Sequence, residues 1–391
     1  MNRLVICLAC AVSLTACHSN VSELKEAEKI SKTVATQFVP DSREDIYQIN
    51  FMARGSSLTA SGETTIPEAK QALLSSLKSA SIAITDSIRV LPDPATATKT
   101  WGLVNVSVCN IRTTPANSAE MASQAILGTP VRILKKSVGW YRIQTPDYYI
   151  GWVDVDALAT TDSAGMANWR RIQRIIFIPL SGTGVDPETK ETVTDLVAGS
   201  ILKLVEVTKA GAVAEMPDGR RIELPASDYS DFDAWRKNTV PTAETLGKCA
   251  KSLMGRPYLW GGTSTKGVDC SGFVKTVYFL NGIILARDAS LQFRHGLVTE
   301  PQSGYVNLKP GDLVFFGRKA EGDMPAKATH VGLYLGNGAY INSSGYVRVD
   351  SFDPTQKNYS KIRADNWLGG RTIIGSEGVK GIVKVKDHLW Y

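Results

Sequence analysis

The chain has 391 residues, of which 43% are hydrophobic and 21% are charged. These fractions are typical of a globular protein and exclude wholesale disorder, while the length predicts roughly two to four compact units. The net charge of +6 comes from 44 basic and 38 acidic residues, and it is too small to indicate a nucleic-acid-binding protein.

The N-terminus has the layout of a secretory signal. Arg3 is followed by the almost wholly apolar segment 4–14, which is too short to span a bilayer as a helix. The next stretch, LTAC at 14–17, resembles a bacterial lipobox, in which the cysteine is acylated and becomes the mature N-terminus. We therefore expect residues 1–17 to be a lipoprotein-type signal peptide and Cys17 to anchor an exported protein to a membrane, facing the periplasm or cell envelope. An ordinary signal peptide that contains a cysteine is the alternative.

The cysteines do not predict a disulfide framework. The six cysteines are Cys7, Cys10, Cys17, Cys109, Cys249 and Cys270. The first three belong to the expected signal peptide or are the expected lipid anchor. The remaining three are an odd number without a short metal-binding spacing. At least one unpaired thiol is therefore expected, even if Cys109 pairs with Cys249.

The middle of the chain contains an internal repeat. Residues 18–97 predict a polar, helix-rich segment, with one helix that opens at Pro67. After it, residues 121–134 align without gaps with residues 192–205, at an offset of 71 residues. Each copy contains short alternating strands separated by Gly, Pro and Asp turns, which is the pattern of small antiparallel barrels.

The first copy resembles a bacterial Src-homology-3-like domain in its GWY run at 139–141 and its GWV run at 151–153. We expect two such barrels, over residues 98–158 and 168–228. A polar linker follows, and a Gly- and aromatic-rich catalytic unit is expected over residues 243–391.

This last unit carries a candidate nucleophile, Cys270. The apolar residues after it have helical spacing, so Cys270 is expected in the first turn of a helix that follows a Gly-rich loop. Unpaired amides at such a position favour the thiolate and lower the thiol pKa. The alternative is a small buried residue without chemistry, which is how a free cysteine usually behaves.

The candidate base is His330, which opens an apolar strand. A hairpin turn around Asn337 and Gly338 leads into the strand that contains Asn342. We expect a three-residue loop with a left-handed Gly338, in which Gly332 lies opposite Asn342 and His330 shares a face with Asn342. A two-residue loop would place the two side chains on opposite faces. Taken alone, His330 is more typical of a structural histidine at a strand start.

Four blocks of this unit together resemble the NlpC-type, papain-like cell-wall peptidases. They are PYLWGG at 257–262, DCSGF at 269–273, LKPGDLVFFG at 308–317, and HVGLYLGNG followed by AYIN at 330–342. The resemblance implies an α+β fold, with two small antiparallel β-barrels followed by a papain-like domain whose cysteine-bearing helix packs on an antiparallel sheet. It also implies that Cys270 is the nucleophile, His330 the base and Asn342 the residue that orients the imidazole, although the family commonly has a histidine in that third position. Tyr258 is expected near the oxyanion.

Two barrels ahead of such a domain resemble peptidases that cut γ-D-glutamyl–diamino-acid bonds in wall peptides with a free N-terminal L-alanine. This resemblance implies that residues beside the nucleophile bind the peptide, and that a tyrosine from the first barrel closes the pocket. The expected set is Asp269, Ser271, Tyr149 and Asp288, with Glu120 as a further partner of the amine. Asp269 would also serve as a plain helix cap, and Glu120 is otherwise a solvated charge.

The expected reaction is acyl transfer by a thiolate, with no cofactor and no metal. The expected partners are peptidoglycan-derived peptides and, through the lipid, a membrane; no nucleic acid is expected, and the protein is expected to be a monomer. Two alternatives stay open. One is an endopeptidase that acts on intact, cross-linked peptidoglycan, and the other is a wall-binding lipoprotein without catalysis.

Overall fold

The computed structural model describes residues 6–54, 57–93 and 98–391, with side chains from residue 21 onward apart from Arg54 and Ser303. The start of the expected signal and the side chain of Cys17 lie outside the described residues, so both stay predictions. The chain divides into two compact units, residues 1–98 and 99–391. In the described part of the chain, no helix combines the length and the apolar stretch that a membrane crossing needs.

The first unit packs two helices and a three-stranded sheet. In chain order these are α1 (Ile6–Phe38), β1 (Tyr47–Arg54), β2 (Ser57–Thr64), α2 (Pro67–Ser79) and β3 (Ile84–Val90). The prediction that a helix opens at Pro67 is confirmed; Ala69, Leu73 and Leu77 recur every four residues and form its buried face. The three strands were not predicted. β2 pairs with β3 in parallel, and α2 is the crossover between them.

The second unit begins with a seven-stranded antiparallel sheet, sheet 1. Its strands, in chain order, are β4 (Trp101–Val104), β5 (Val108–Arg112), β6 (Met121–Ile126), β7 (Pro130–Ser137), β8 (Trp140–Gln144), β9 (Ile150–Asp154) and β10 (Leu158–Thr161). The hydrogen-bonded order is β10-β4-β7-β8-β9-β5-β6.

Sheet 2 follows the helix α3 (Ser163–Arg171) and has the same number of strands. They are β11 (Arg174–Phe177), β12 (Ser181–Val185), β13 (Thr192–Val197), β14 (Ile201–Val207), β15 (Gly211–Glu215), β16 (Arg221–Pro225) and β17 (Tyr229–Asp231). Its order, β17-β11-β14-β15-β16-β12-β13, repeats that of sheet 1 strand for strand.

The internal repeat is therefore confirmed. Strands β6 to β9 start at residues 121, 130, 140 and 150, and strands β13 to β16 start at residues 192, 201, 211 and 221, so every pair differs by 71 residues. The limits 98–158 and 168–228 stay proposed domain boundaries. Closure of each sheet into a barrel stays a prediction.

The C-terminal part contains five helices: α4 (Phe232–Asn238), α5 (Ala243–Ser252), α6 (Cys270–Leu280), α7 (Ala289–Gln292) and α8 (Lys361–Asp365). Four strands lie outside its main sheet: β18 (Thr263–Ser264), β19 (Gly267–Val268), β20 (Ile283–Leu285) and β27 (Ile382–Lys384). The main sheet is antiparallel with the order β21-β26-β22-β23-β24-β25, and its strands are β21 (Leu297–Thr299), β22 (Leu313–Arg318), β23 (Lys327–Gly336), β24 (Ala339–Ser344), β25 (Tyr346–Ser351) and β26 (Trp367–Thr372).

Helix α6 lies against this main sheet. Phe273, Val274, Val277 and Tyr278 are fully buried, as their spacing predicts, and they join one core with Leu333 and other residues of β22 to β25. At about 25 cal/mol per Å² of apolar surface, this shared core fixes the helix on the sheet. The expected α+β class is confirmed.

Candidate active site

Cys270 is the first residue of α6, as predicted. The residue before it, Asp269, caps the helix, because its Oδ1 accepts a hydrogen bond from the Gly272 amide at 2.7 Å. A side chain at position 272 would overlap the carbonyl oxygen of Gly262 in the Gly-rich loop. Gly272 therefore lets the loop and the helix approach closely enough to hold the thiol between them.

The thiol of Cys270 is 8% exposed, and burial raises its pKa to about 11. The neighbouring Asp269 carboxylate raises the pKa further, while the amides of Val331 and Ser271 act as hydrogen-bond donors that oppose the shift. The expected lowering of the thiol pKa is therefore wrong for the site without substrate. Desolvation outweighs the helix amides, so the thiol must lose its proton to a base as it reacts.

The hairpin that carries the base has the expected register but reaches it by another route. Leu333 pairs with Ile341, and continuing this register by one residue places Gly332 opposite Asn342. Gly338 is left-handed, at φ +76°. The expected three-residue loop is wrong, because the turn has two residues and a β-bulge at Leu335 supplies the extra residue. The bulge shifts the register by one, so His330 and Asn342 lie on the same face.

The two side chains are hydrogen-bonded. His330 Nε2 lies 2.7 Å from Asn342 Oδ1, and Asn342 Nδ2 donates to Asp350 Oδ2 at 3.0 Å. A carboxylate only accepts, so Asp350 fixes which end of the Asn342 amide faces the imidazole. Nε2 must then carry the proton, which leaves Nδ1 with a lone pair. This is the tautomer that a general base requires.

The imidazole and the thiol belong to adjoining elements. Val331, whose amide acts on the thiol, is the residue after His330 on β23. His330 is 5% exposed, and burial, with the charge of Arg363 as the next cause, lowers its pKa to about 3. The resting pair is accordingly a neutral thiol and a neutral imidazole. Cys270, His330 and Asn342 are thus brought to one site.

Asp269 has a different set of partners from the one expected. Oδ2 accepts from the Gly261 amide at 3.0 Å and from Arg287 Nη2 at 2.5 Å, and Oδ1 accepts from Ser271 Oγ at 3.1 Å and Arg287 Nη1 at 3.2 Å as well as from the cap. A carboxylate offers about four lone-pair positions, so Asp269 is saturated within the protein.

Arg287 is the centre of this buried network. It is 1% exposed, and its Nε donates to Ser123 Oγ of sheet 1 at 3.0 Å. The Asp269 carboxylate raises the pKa of Arg287, which keeps it charged despite its burial. The guanidinium therefore joins the cysteine-bearing helix to sheet 1.

Three residues in or next to the strands of sheet 1 lie on this side of the site: Gln124 in β6, Glu120 just before β6 and Tyr149 just before β9. Tyr149 is 7% exposed and packs with Ala286 and Leu291 beside Arg287. Glu120 accepts a hydrogen bond from Trp260 Nε1 at 2.8 Å, and Gln124 Oε1 accepts one from the Thr263 amide at 3.0 Å. Glu120 is thus held at the catalytic domain.

Asp288 and Tyr258 border the same space. Asp288 precedes α7 without capping it, and its Oδ1 lies 3.9 Å from Arg287 Nη1. Burial and the nearby Cys270 raise the pKa of Tyr258 to about 12, which keeps the phenol protonated as a donor. Among the described residues, no group of three His, Cys, Asp or Glu side chains is placed to hold a metal ion.

The roles of two residues of the site, Arg287 and Asp350, were not predicted from the sequence. Asp350 is 6% exposed on β25, where it pairs with Tyr340 two positions before Asn342. A buried acid in a strand beside a candidate triad is a usable signal, because such an acid needs a partner. Cys109 and Cys249 are both free, so the expectation of unpaired thiols is confirmed.

Comparison with known proteins identifies two domains in the chain. The NlpC/P60 family model matches residues 255–367, and the model of the bacterial dipeptidyl-peptidase Sh3 domain matches residues 111–158. A γ-D-glutamyl-L-lysine dipeptidyl-peptidase of Bacillus cereus is 28% identical over 58% of this chain and 68% of its own length. Dipeptidyl-peptidase 6 of Lysinibacillus sphaericus is 28% identical over 66% of this chain and 93% of its own length.

A solved structure shows the same fold. The NlpC/P60 family protein from Bacillus cereus ATCC 10987 superposes with a TM-score of 0.59 at 22% identity, over 70% of this chain and 99% of its own. Its fold and the two matching models agree. The chain carries an NlpC/P60 cysteine peptidase domain over residues 255–367, preceded by a bacterial dipeptidyl-peptidase SH3 domain over residues 111–158.

Proposed function

We propose that the enzyme hydrolyses the γ-D-glutamyl–diamino-acid bond of peptidoglycan peptides that have a free N-terminal L-alanine. The observation that carries this proposal is that Glu120 and Tyr149, the residues just before β6 and β9 of sheet 1, are held against the catalytic domain on the Arg287 side of the nucleophile. Residues at that position limit the length of the acyl part of the substrate. The relatives named as γ-D-glutamyl-L-lysine dipeptidyl-peptidases support the same chemistry.

In this mechanism the neutral imidazole is a general base. His330 Nδ1 takes the thiol proton as the Cys270 sulfur attacks the γ-glutamyl carbonyl, and the C–N bond then breaks as the imidazolium protonates the leaving amine. The Cys270 amide at the first position of α6 has no acceptor within the helix, and together with the Tyr258 hydroxyl it is the donor available to the oxyanion. Water, deprotonated by the same imidazole, then hydrolyses the thioester and releases the acyl product from Cys270.

The proposed amine contacts are Asp288 and Glu120 rather than Asp269. The carboxylate of Asp269 is saturated by Arg287 and amides, whereas the Asp288 side chain is 27% exposed against 10% for Asp269. An ammonium that leaves water needs a carboxylate partner. Asp269 and Ser271 then act through Arg287, by holding the helix start and the sheet 1 contact in place.

Acetylating the substrate amine tests the pocket. We expect kcat/KM for L-Ala-γ-D-Glu-L-Lys to exceed that for its N-acetyl form about a hundredfold or more, because acetylation removes the positive charge that the Asp288 and Glu120 carboxylates would bind. Steady-state release of the dipeptide measures this ratio. Asp288→Asn should shrink the ratio, whereas Lys357→Gln, an exposed change, should not. Equal cleavage of both peptides would favour the endopeptidase acting on intact wall.

Replacing Asp350 tests the orienting chain. In Asp350→Leu the Asn342 amide is free to flip and present Nδ2 to the imidazole, which moves the ring proton to Nδ1 and blocks the base. We expect kcat to fall roughly tenfold to a hundredfold with KM nearly unchanged. A proportional rise in KM, or full retention of kcat, would contradict the role of Asp350.

The location of the enzyme stays part of the proposal. Anchoring through an acylated Cys17 would place the site at the membrane surface on the envelope side, where it would meet released wall peptides as a monomer. A wall-binding lipoprotein without catalysis is disfavoured by the intact Cys270, His330 and Asn342 set.

A further inference from the structure

A basic cluster formed by Arg363 and Arg348 lies next to the imidazole, on the side of the site opposite Arg287. The guanidinium of Arg363, on α8, lies over the ring of Phe316 at 5.7 Å, and the same ring lies 5.9 Å from that of His330, its partner across the two strands. The Arg363 charge acts on Cys270, His330 and Tyr258. Arg363 therefore stands at the reacting groups, although the mechanism above does not use it.

Within the described residues, Arg363 forms no ion pair at salt-bridge distance. The nearby Arg348 does: its Nε donates to Asp350 Oδ1 at 3.1 Å, and its side chain is 38% exposed. Two guanidinium groups and one carboxylate leave this cluster with one net positive charge. Arg363 is a half-buried cation whose own burial opposes its charge, so an anion bound beside it would stabilise that charge.

The stacking of Arg363 suits it to bind a carboxylate. A guanidinium held over an aromatic ring is still a planar donor whose N–H groups match the two oxygens of a carboxylate. Phe316 is fully buried and packs against His330 and Tyr340, so it holds the guanidinium near the base.

The chemistry decides which part of the substrate lies here. The imidazolium of His330 must reach the leaving amine, so the residue that departs lies on the His330 side of the scissile bond. The acyl part lies toward Arg287, Asp288 and Tyr149. Arg363 is therefore placed beside the departing residue.

We propose that Arg363 is a specificity-determining residue that binds a carboxylate of the departing diamino acid, with Arg348 as the adjoining positive charge. This inference rests on the proposed function and deepens it. The carboxylate is either the α-carboxylate of a terminal diamino acid or the side-chain carboxylate of diaminopimelate, and both offer the same planar anion.

The test compares three forms of the tripeptide L-Ala-γ-D-Glu-diaminopimelate. Both carboxylates of the departing diaminopimelate are free in the first form, the α-carboxylate is amidated in the second, and the side-chain carboxylate is amidated in the third. The wild-type kcat/KM should fall about tenfold to a hundredfold for one of the two amides, and that amide identifies the carboxylate bound. In Arg363→Gln the ratio between the free and the amidated peptide should approach one. Arg363→Lys should restore part of the ratio.

The ratio of kcat/KM between the free and the amidated peptides separates carboxylate binding by Arg363 from the effect of Arg363 on the imidazole, because a shift in the His330 pKa changes all three rates together. Lys361→Gln on the same helix removes an exposed cation paired with Asp365 and should leave the ratio unchanged. Equal wild-type rates on all three peptides, or an equal loss on all three in Arg363→Gln, would overturn the inference while leaving the proposed function intact. Failure of the wild type to cleave any of them would overturn both.

Discussion

Cys270→Ala is expected to abolish dipeptide release from L-Ala-γ-D-Glu-L-Lys, with a loss in kcat of about 10,000-fold or more. The sulfur is the atom that bonds to the carbonyl, and no neighbouring group of the site can replace it. Because the residue is small and lies at the head of α6, where Asp269 keeps its cap, the helix should persist. Single-turnover release of the dipeptide at high enzyme concentration measures the residual rate.

A matched control separates loss of the nucleophile from loss of a thiol. Cys249 on α5 is also a free, partly buried cysteine whose pKa burial raises to about 11, and its hydrogen-bond partner is Asn281 at the end of α6. Cys249→Ala should retain activity within about twofold. Circular dichroism should show native spectra for both variants. Full activity in Cys270→Ala would remove the enzymatic claim.

Arg287→Met is expected to destabilise the second unit by about 3–5 kcal/mol, the usual cost of stranding a buried charge. The substitution leaves the Asp269 carboxylate with its amide donors but without its cation, in a site where Asp269 is 7% exposed. It also cuts the bond to Ser123, one of the contacts between sheet 1 and the catalytic domain. Urea unfolding, followed by tryptophan fluorescence, measures the change in the free energy of unfolding.

Two further variants identify the cause. Lys203→Met removes an exposed cation from its pair with Glu215 and should cost less than about 1 kcal/mol. Adding Asp269→Asn to Arg287→Met removes the stranded charge and should recover part of the loss, though not all, since the Gly261 amide then faces a second donor. A double variant that is less stable than Arg287→Met would rule out the stranded-charge explanation.

Much of the architecture could be predicted because strand spacing is local information. The 71-residue offset between the two sheets follows from where Gly, Pro and Asp interrupt apolar runs, and it holds for β6 to β9 and β13 to β16. The triad followed from the register of one hairpin. The sequence alone could not reveal the bulge at Leu335, because a bulge depends on packing around the turn.

The network around the nucleophile was harder to predict, since it depends on competition among neighbours. Asp269 was expected to bind the substrate amine, but Arg287, 18 residues later, takes the same oxygens. The thiol pKa was expected to fall at a helix start, and burial reversed the sign. In both cases the local motif is right, and a group brought in by the tertiary fold decides its chemistry.

The matched topology of the two sheets also has an evolutionary consequence. An ancestral unit copied in tandem supplies two equivalent scaffolds, of which only one must keep its original surface. The position of Tyr149 is occupied in the other copy by Arg220, which bonds to Asp218, and the left-handed turn residue Tyr148 is matched by Gly219. Only the first copy has a tyrosine at this position, so only the first copy can supply the tyrosine of the proposed pocket, and the second keeps the same strand framework without it.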